Sequence, residues 1–179
     1  MATAEQPAPL NIRPARADDA AALREIFNDA VEDGLATFDS ELRTIEDQKK
    51  LIAMAEQEAW HPLFVAELRN LVCGIVSIEP HEQHLHRGEI GEVTVFVRRS
   101  FRSYGIGRQL MRVAQTEAAR LGYRKLIGRV LSDNEESLRL CKISGWRVVG
   151  VQEQHARHGN RLRDVTLVEF LVPAVPRAE

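Results

Sequence analysis

Apolar residues at helical spacing occupy the first part of the chain. One stripe recurs at intervals of one and three residues and predicts a helix that ends at Gly34; its members are Leu23, Ile26, Phe27, Ala30 and Val31. Asp18 and Asp19 precede it, where carboxylates cap a helix and favour its dipole. A second helix is predicted from Thr44, because Asp47 completes a capping box. Its apolar face consists of Leu51, Ile52 and Ala55.

From residue 63 onward the period changes to that of strands. Runs rich in valine and isoleucine, separated by polar turns, predict strands over 63–68, 71–78, 89–97, 125–131, 146–154 and 164–172. The pair Arg69-Asn70 is typical of a tight hairpin turn. Two further helices are predicted, one ending at Gly122 and one over 134–144. With a short first strand over 10–13, the order is β-α-α-β-β-β-α-β-α-β-β, which predicts a mixed α/β layer fold.

Composition is that of one globular domain. The chain has 179 residues, of which 44% are hydrophobic and 28% charged. Residues 1–9 and 173–179 are small, polar and proline-spaced, so we expect an N-terminal arm and a C-terminal tail around a single domain over 10–172. No apolar run approaches the roughly 18 residues of a membrane span, and no secretion signal is visible, so no membrane partner is expected.

Charge and cysteine content exclude further classes. The 24 basic and 26 acidic side chains give a net charge of −2, which argues against a nucleic-acid partner held by bulk charge. Cys73 and Cys141 are too few for a disulfide framework and too far apart for a zinc pattern. We therefore expect a reduced, cytoplasmic protein.

A basic, glycine-containing segment stands before the third predicted helix. Residues 98–112 carry five arginines and no acid, and Gly105-Ile106-Gly107 lies at the helix start. Unpaired N–H groups at a helix N-terminus, approached closely over glycine, suit a pyrophosphate. A tight turn with solvated arginines is the alternative, and spacing alone leaves both open. No Gly-Lys-Ser/Thr follows and the third glycine of a dinucleotide fingerprint is missing, so ATP and NAD are poor candidates.

Several motifs in register resemble the GNAT superfamily of N-acetyltransferases. The run Arg102-Ser103-Tyr104-Gly105-Ile106-Gly107 is similar to the R/Q-x-x-G-x-G/A loop with which that family binds acetyl-CoA. The run Glu92-Val93-Thr94-Val95-Phe96-Val97 resembles its central strand. Downstream, the spacing of Asn134, Ser137, Leu140 and Gly145-Trp146 resembles its next helix and the exit from that helix.

Within this superfamily the chain is most similar to the phosphinothricin and methionine sulfoximine acetyltransferases. Asn28-Asp29-Ala30-Val31 and Ala36-Thr37-Phe38-Asp39 resemble their N-terminal helix and loop, and residues 159–165 partly match a late motif. The resemblance implies a mixed, mostly antiparallel seven-stranded sheet with about four helices. It also implies a bulge in the central strand, splayed middle strands, acetyl-CoA as cosubstrate and a homodimer.

The resemblance assigns the coenzyme to backbone groups of two segments and to one helix start. Groups near Val95, Phe96 and Val97 would bind the pantetheine arm and polarise the thioester carbonyl, as in an oxyanion hole. The pyrophosphate would lie on the loop formed by Arg102, Ser103, Tyr104, Gly105, Ile106, Gly107 and Arg108. Asn134 and Ser137 are expected beside the pantetheine, and Asn134 is also expected to cap its helix.

Two residues are candidates for the proton transfers. An acceptor ammonium must lose a proton before it attacks, and a positioned carboxylate contributes about 10²–10⁴-fold. Glu92 falls where the phosphinothricin group has its glutamate, and we favour this role over that of a solvated strand glutamate, with Glu89 in reserve. Cys141 falls where relatives have a tyrosine or histidine. Its thiol could serve as general acid, but a small buried core residue is the favoured interpretation, and an acyl-carrying role is rejected.

The acceptor site is where the chain departs from its relatives. Substrate-binding candidates are Phe38, Arg87, Glu89 and Arg161, and for Arg161 an ion pair with Asp164 is the favoured alternative. The relatives' arginine-bearing loop after the third strand is reduced here to Arg87, while Glu79 and Glu82 would suit a cationic amine. The nearby histidines are His81, His84 and His86. Loop histidines without a fourth ligand are usually solvated, so no metal is expected.

The sequence therefore predicts an acetyl-CoA-dependent N-acetyltransferase. Its acceptor would be the primary amine of a small molecule, an amino acid or an analogue such as methionine sulfone or phosphinothricin, attacking directly in a ternary complex. The alternatives are a non-catalytic coenzyme-binding sensor, or an acetyltransferase for a protein N-terminus, a polyamine or an aminoglycoside.

Overall fold

Seven strands form one sheet in the computed structural model, which describes residues 9–34, 41–81, 89–158 and 160–173. The strands are β1 Asn11–Pro14, β2 Leu63–Leu68, β3 Leu71–Pro80, β4 Ile90–Val97, β5 Lys125–Leu131, β6 Arg147–His158 and β7 Arg161–Leu171, in the spatial order β1-β2-β3-β4-β5-β7-β6. The helices are α1 Ala20–Asp33, α2 Ile45–Gln57, α3 Ile106–Leu121 and α4 Glu135–Ile143. The predicted fold class and element order are confirmed.

The sheet is antiparallel except in the middle. β4 and β5 run parallel and pair over three residues only, from Ile90–Lys125 to Glu92–Ile127. Beyond Glu92, β4 continues to Val97 and β5 to Leu131, so the expected splay of the middle strands is confirmed. The bulge implied for β4 is wrong, because its register with β3 is unbroken from Gly74–Val97 to Pro80–Gly91.

Each face of the sheet has its own core. On one face, α1 and α2 pack through residues that include Phe27, Ile52 and Ile75, together with Phe96 of β4. On the other face, α3 and α4 pack through residues that include Leu110 and Cys141. Val93 and Val95 of β4 belong to this second face, as the period of two in a strand requires.

Local signals set most of the element ends. Thr44 caps α2, and its capping box with Asp47 is confirmed. Gly122 adopts a φ of 85° at the C-terminus of α3, a conformation that glycine permits. The prediction for Asp19 is wrong: its carboxylate accepts from the Arg16 N–H at 2.7 Å and pairs with Arg13, so it does not cap α1.

Among the described residues, no helix is long and apolar enough to cross a membrane.

Candidate functional site

A cavity of about 480 Å³ occupies the gap between the diverging strands. Its walls come from β3, β4 and β5, from α1 and α2 on one face, and from α3 and α4 on the other. The β4 lining is Glu92, Val93, Thr94, Val95 and Phe96, and the β5 lining is Gly128, Arg129, Val130 and Leu131. One chamber is therefore bounded by both layers of the domain, so two reactants can meet in it from opposite faces.

The gap also leaves backbone groups of β4 without a second strand. Residues 93–97 pair with β3, and the pairing with β5 has ended at Glu92. In a strand, successive N–H and C=O groups point to alternate sides, so those directed toward β5 lack ladder partners. Such backbone N–H and C=O groups can form hydrogen bonds with the polar atoms of a ligand. Val95, Phe96 and Val97, predicted to meet the pantetheine, belong to this segment.

Glu92 stands at the last paired position before the strands part. Its side chain lines the cavity and is 21% exposed. One carboxylate oxygen accepts from Arg129 Nε at 2.7 Å, and the other lies 3.7 Å from His81 Nδ1. Glu79 is directly opposite on β3 and also lines the cavity. The strand register thus places Glu92, the predicted base, in the cavity wall, where it forms an ion pair with Arg129.

Cys141 lies in the wall formed by α4 and is 8% exposed. Burial raises the pKa of its thiol to about 11. At neutral pH the thiol therefore keeps its proton, and it gives that proton up less readily than an ordinary thiol of pKa about 8.5. The favoured interpretation, a small core residue, accounts for these properties.

Asn134 and Ser137 meet at the start of α4. The side-chain oxygen of Asn134, Oδ1, accepts from the Ser137 N–H at 3.0 Å, so the predicted N-cap is confirmed. Both side chains line the cavity. The cap fixes the first turn of α4 against the gap.

The loop before α3 is braced to α1 by arginine. Arg102 pairs with Asp33 at 2.6 Å and donates to the Val97 carbonyl at 3.3 Å, while Arg99 also pairs with Asp33. Arg98 pairs with Glu25 at 3.0 Å. The charges of these three residues hold the loop in place, although the Arg99 side chain is 64% exposed, as the alternative of a solvated arginine face expects.

The same loop presents the uncapped start of α3. Gly105, with a φ of 76°, precedes the helix and supplies no side-chain cap. Ser103, with a φ of 67°, and Tyr104, Gly105 and Arg108 are exposed, whereas Ile106 is buried and Gly107 half-buried. The first N–H groups of a helix have no partner inside it, so this end offers donors to an anion. A Cβ on Gly107 would lie 3.1 Å from Leu140 of α4, so glycine also allows the two helices to meet closely.

Several predicted acceptor residues do not reach the cavity wall. Glu89 is half-buried just before β4, pairs with Arg124 at 2.8 Å and is not part of the cavity wall, which favours Glu92 over Glu89 as the candidate base. Arg161 is exposed at the start of β7, opposite His158. Phe38 and Arg87 lie outside the described residues.

The predicted Arg161–Asp164 ion pair is also wrong. Asp164 accepts from the Gln154 N–H at 2.8 Å instead. The ion pair in this region joins Arg163 to Asp133, and Arg163 also donates to the Gly34 carbonyl. Arg163, two residues after Arg161 on β7, is therefore the arginine whose side chain contacts other elements of the domain.

The cavity contains polar residues that sequence reasoning missed. Gln48 is 1% exposed and Trp146 6% exposed, and neither Gln48 Nε2 nor Trp146 Nε1 has a hydrogen-bond partner within the described part of the chain. Arg43 and Arg129 line the same chamber. One signal could have identified Gln48: it lies four residues before Ile52 and three before Leu51, on the predicted apolar face of α2.

In the ranges that the structure describes, no group of three His, Cys, Asp or Glu side chains is placed to hold a metal ion. His81 is described, whereas His84 and His86 are not.

Comparison with known proteins gives consistent results. The Acetyltransferase (GNAT) domain family matches residues 12–167. Phosphinothricin N-acetyltransferase of Streptomyces viridochromogenes is 28% identical over 94% of this chain and 92% of its own. The L-methionine sulfoximine/L-methionine sulfone acetyltransferase of Salmonella typhimurium is 28% identical over 90% of this chain and 94% of its own. A Salmonella typhimurium acetyltransferase structure with its cofactor acetyl-CoA superposes with a TM-score of 0.87 at 23% identity, covering 96% and 98% of the two chains.

Proposed function

Because the chain belongs to the GNAT acetyltransferase family and uses acetyl-CoA, we propose that it acetylates the primary amine of an amino acid or a close analogue. The observation that carries this proposal is the chamber between β4 and β5, which both layers line and in which Glu92 holds the last paired position. The names of two relatives specify phosphinothricin and methionine sulfoximine or sulfone, which are amino-acid analogues, and these names support the substrate class.

The residues on the α3 and α4 face fit the coenzyme. The uncapped start of α3 offers backbone donors to the pyrophosphate, with Gly105 allowing close approach. Arg102 acts through its ion pair with Asp33, which holds this loop, and Arg108 adds an exposed positive charge. In the chamber, the Trp146 Nε1 donor, which has no partner among the described residues, and the backbone groups of residues 93–96 that point toward β5 would receive the polar atoms of the pantetheine arm. Coenzyme bound here presents its thioester to the opposite face.

Glu92 supplies the proton acceptor on that opposite face. It takes a proton from the acceptor ammonium, directly or through one water, and the neutral nitrogen then attacks the thioester carbon. This addition forms the C–N bond and leaves a negative charge on the carbonyl oxygen, which β4 N–H groups stabilise. The C–S bond breaks when the addition intermediate collapses and the carbonyl re-forms. The attacking nitrogen then loses its second proton. One proton ends on the departing thiolate and one in solvent.

Arg129 and Cys141 have supporting roles in this scheme. The Arg129 guanidinium orients the Glu92 carboxylate at 2.7 Å, and an arriving ammonium competes with it for the same oxygens. Cys141 is a neutral wall residue, since a thiol of pKa about 11 is a weak acid toward a departing thiolate. No covalent acyl-enzyme is formed.

We further infer one catalytic domain over 10–172, a homodimer and a cytoplasmic location. The family match over 12–167 supports the domain. The dimer is supported by the outer strand β6, on which Val148, Val149 and Val151 are 51–59% exposed. Free thiols at Cys73 and Cys141 are in keeping with a reducing compartment.

The test of the proposed function is coenzyme A release with a panel of amines. The panel contains methionine sulfone, methionine sulfoximine, phosphinothricin, common amino acids, spermidine, an alanyl peptide and an aminoglycoside, each with acetyl-CoA. We expect turnover to be confined to the amino acids and their analogues, with mass spectrometry showing acetylation of the amine. Turnover of only the polyamine, peptide or aminoglycoside would contradict the proposed substrate class. A melting shift on acetyl-CoA alone with no turnover on any amine would favour a coenzyme-binding sensor.

A further inference from the structure

The gap between β4 and β5 opens toward the carboxyl ends of the two strands. Their pairing ends at Glu92 and Ile127, whereas β4 continues to Val97 and β5 to Leu131. The loop proposed to bind the pyrophosphate follows β4, and the start of α4 follows β5. The separation of these two segments therefore decides whether one coenzyme molecule can contact both of them.

The carboxyl end of α1 contacts the segment that follows β4. Asp33, the last residue of α1, pairs with Arg102 at 2.6 Å and also with Arg99. The Asp33 side chain is 13% exposed, so these ion pairs are better shielded from water than pairs on an open surface. Arg102 also donates to the Val97 carbonyl at 3.3 Å. Asp33 is thus connected to the last residue of β4.

The same end of α1 contacts the segment that follows β5, through Arg163 of β7. The Arg163 guanidinium donates to the Gly34 carbonyl and to the Asp133 carboxylate. Asp133 directly precedes Asn134, the N-cap of α4, whose side chain lines the cavity. The Arg163 side chain is 14% exposed, although that of Asp133 is exposed, and a largely buried guanidinium strongly favours keeping its acceptors. Arg163 therefore holds the start of α4 to the end of α1.

These contacts form one continuous connection across the open end of the gap. We call it the α1 bridge, and its members are Arg99, Arg102, Asp33, Gly34, Arg163 and Asp133. None of these six residues lines the cavity, so each acts through the segments that it holds. On the other face of the sheet α3 and α4 meet through apolar packing, where a Cβ on Gly107 would lie 3.1 Å from Leu140. Charged groups thus close one face of the gap and apolar groups the other.

We propose that the α1 bridge sets the width of the gap, which makes Arg163 and Asp33 positioning residues for acetyl-CoA binding. This inference rests on the coenzyme site proposed above and deepens it. When only a fraction of the molecules has the correct gap, the apparent affinity for the coenzyme is reduced by that fraction. Loss of the bridge lowers the fraction, so it weakens coenzyme binding although every residue of the cavity wall is retained.

The first experiment compares wild type, Arg163→Met, Arg163→Lys and the control Arg120→Met. Arg120 is paired with Glu117 at 2.6 Å on the surface of α3 and lies outside both the α1 bridge and the cavity wall. Arg163→Met should raise the KM for acetyl-CoA by about tenfold, with kcat at saturating acetyl-CoA within about twofold of wild type. Arg163→Lys, which keeps a charged donor, should bring KM back to within about threefold of wild type. An unchanged KM in Arg163→Met, or a loss confined to kcat, would overturn the proposal.

A double variant tests whether the two contacts form a single connection. Asp33→Asn releases Arg99 and Arg102, Arg163→Met releases Asp133, and the two changed side chains share no partner among the described residues. A connection in series is lost wherever it is broken, so the double variant should exceed the larger single increase in KM by no more than about twofold. Increases that multiply would mean independent contacts and would overturn the bridge. A lowered KM in Asp33→Asn would also overturn it, since Asp33 would then only neutralise the loop arginines.

Hydrogen exchange without coenzyme separates this inference from the proposed function. In the free protein, Arg163→Met and Asp33→Asn should speed amide exchange in peptides covering 98–105 and 132–137, relative to wild type and Arg120→Met. Unchanged exchange in both peptides would overturn the bridge, even in a protein that binds acetyl-CoA. If wild type shows no melting shift with acetyl-CoA, the proposed coenzyme site fails, while the exchange rates still decide whether the α1 bridge holds the gap.

Discussion

At the residue scale, the structure separates candidates that share a chemical type. Glu92 and Glu89 are three positions apart, yet only Glu92 lines the cavity, while Glu89 pairs with Arg124 on the surface. Arg163 pairs with Asp133, whereas Asp164, the partner expected for Arg161, accepts from the Gln154 N–H. A side chain's function here depends on the face of the strand it occupies and on its nearest opposite charge.

Cys141 provides a residue-scale prediction. Cys141→Ala should reduce turnover by far less than the roughly 10²–10⁴-fold that a general acid or nucleophile contributes, because its thiol keeps its proton up to a pKa of about 11. Cys73→Ala is the matched control, since Cys73 is buried and lies outside the cavity wall. Coenzyme A release measures the rate. Loss of turnover in Cys141→Ala alone, with the acetyl-CoA melting shift intact, would contradict this account.

The same thiol gives a pH dependence whose sign follows from burial. The folded-state pKa of Cys141, about 11, is above the unfolded value of about 8.5. Between these values the unfolded chain loses a proton that the native protein keeps, so the free energy of unfolding falls as the pH rises. Below about pH 8 the thiol is protonated in both states, so Cys141 leaves the free energy of unfolding independent of pH there. Denaturant unfolding from pH 7 to 10.5 should therefore show a shallower alkaline decline in Cys141→Ala than in wild type.

At the element scale, the sheet has an outer strand that a second copy could cover. Among the described strands, β6 pairs with β7 alone, and its valines Val148, Val149 and Val151 are exposed. An apolar edge strand favours pairing with another chain. Its unpaired side and its exposed valines are the physical basis of the inferred homodimer.

The prediction for this edge is a change in mass. Light scattering after gel filtration should give about twice the chain mass of 20.2 kDa for wild type. Val149→Lys/Val151→Lys should shift the protein toward the monomer, since charged side chains on an edge strand oppose pairing. Leu42→Lys, an equally exposed apolar site away from the edge, is the control. A wild-type monomer, or a dimer unaffected by the lysines, would refute pairing through β6.

Elements with local signals were predictable from sequence, and those set by tertiary pairing were not. The Thr44 capping box and the Arg69-Asn70 turn carry their own information, and the turn residues adopt φ values of 52° and 62°. β7 begins at Arg161, three residues before its predicted start, because residues 161–163 pair with β6 through the backbone although Leu162 alone among them is apolar. Gln48 is a partial case: its place on the apolar face of α2 marks it as buried, whereas the cavity that it borders is formed by tertiary packing of several elements.

At the scale of the whole molecule, the reaction requires both layers. The loop proposed to bind the coenzyme lies at the start of α3, and Glu92 lies on the α1 and α2 face. In the described part of the chain, the gap between β4 and β5 joins the two faces, and it opens because those strands pair over three residues. The central proposal is therefore that Glu92, at the closed end of this gap, deprotonates the acceptor.

The most direct test of that claim is the turnover of Glu92→Gln. At saturating acetyl-CoA and acceptor, we predict that kcat falls by about 10²–10⁴-fold, while the acetyl-CoA melting shift stays at the wild-type value. Glu89→Gln, the same change on a carboxylate three residues away that does not line the cavity, should keep the wild-type kcat. Arg129→Gln removes the ion pair but keeps the Glu92 carboxylate, so it should lower kcat much less than Glu92→Gln does. A Glu92→Gln enzyme with the wild-type kcat would contradict the account.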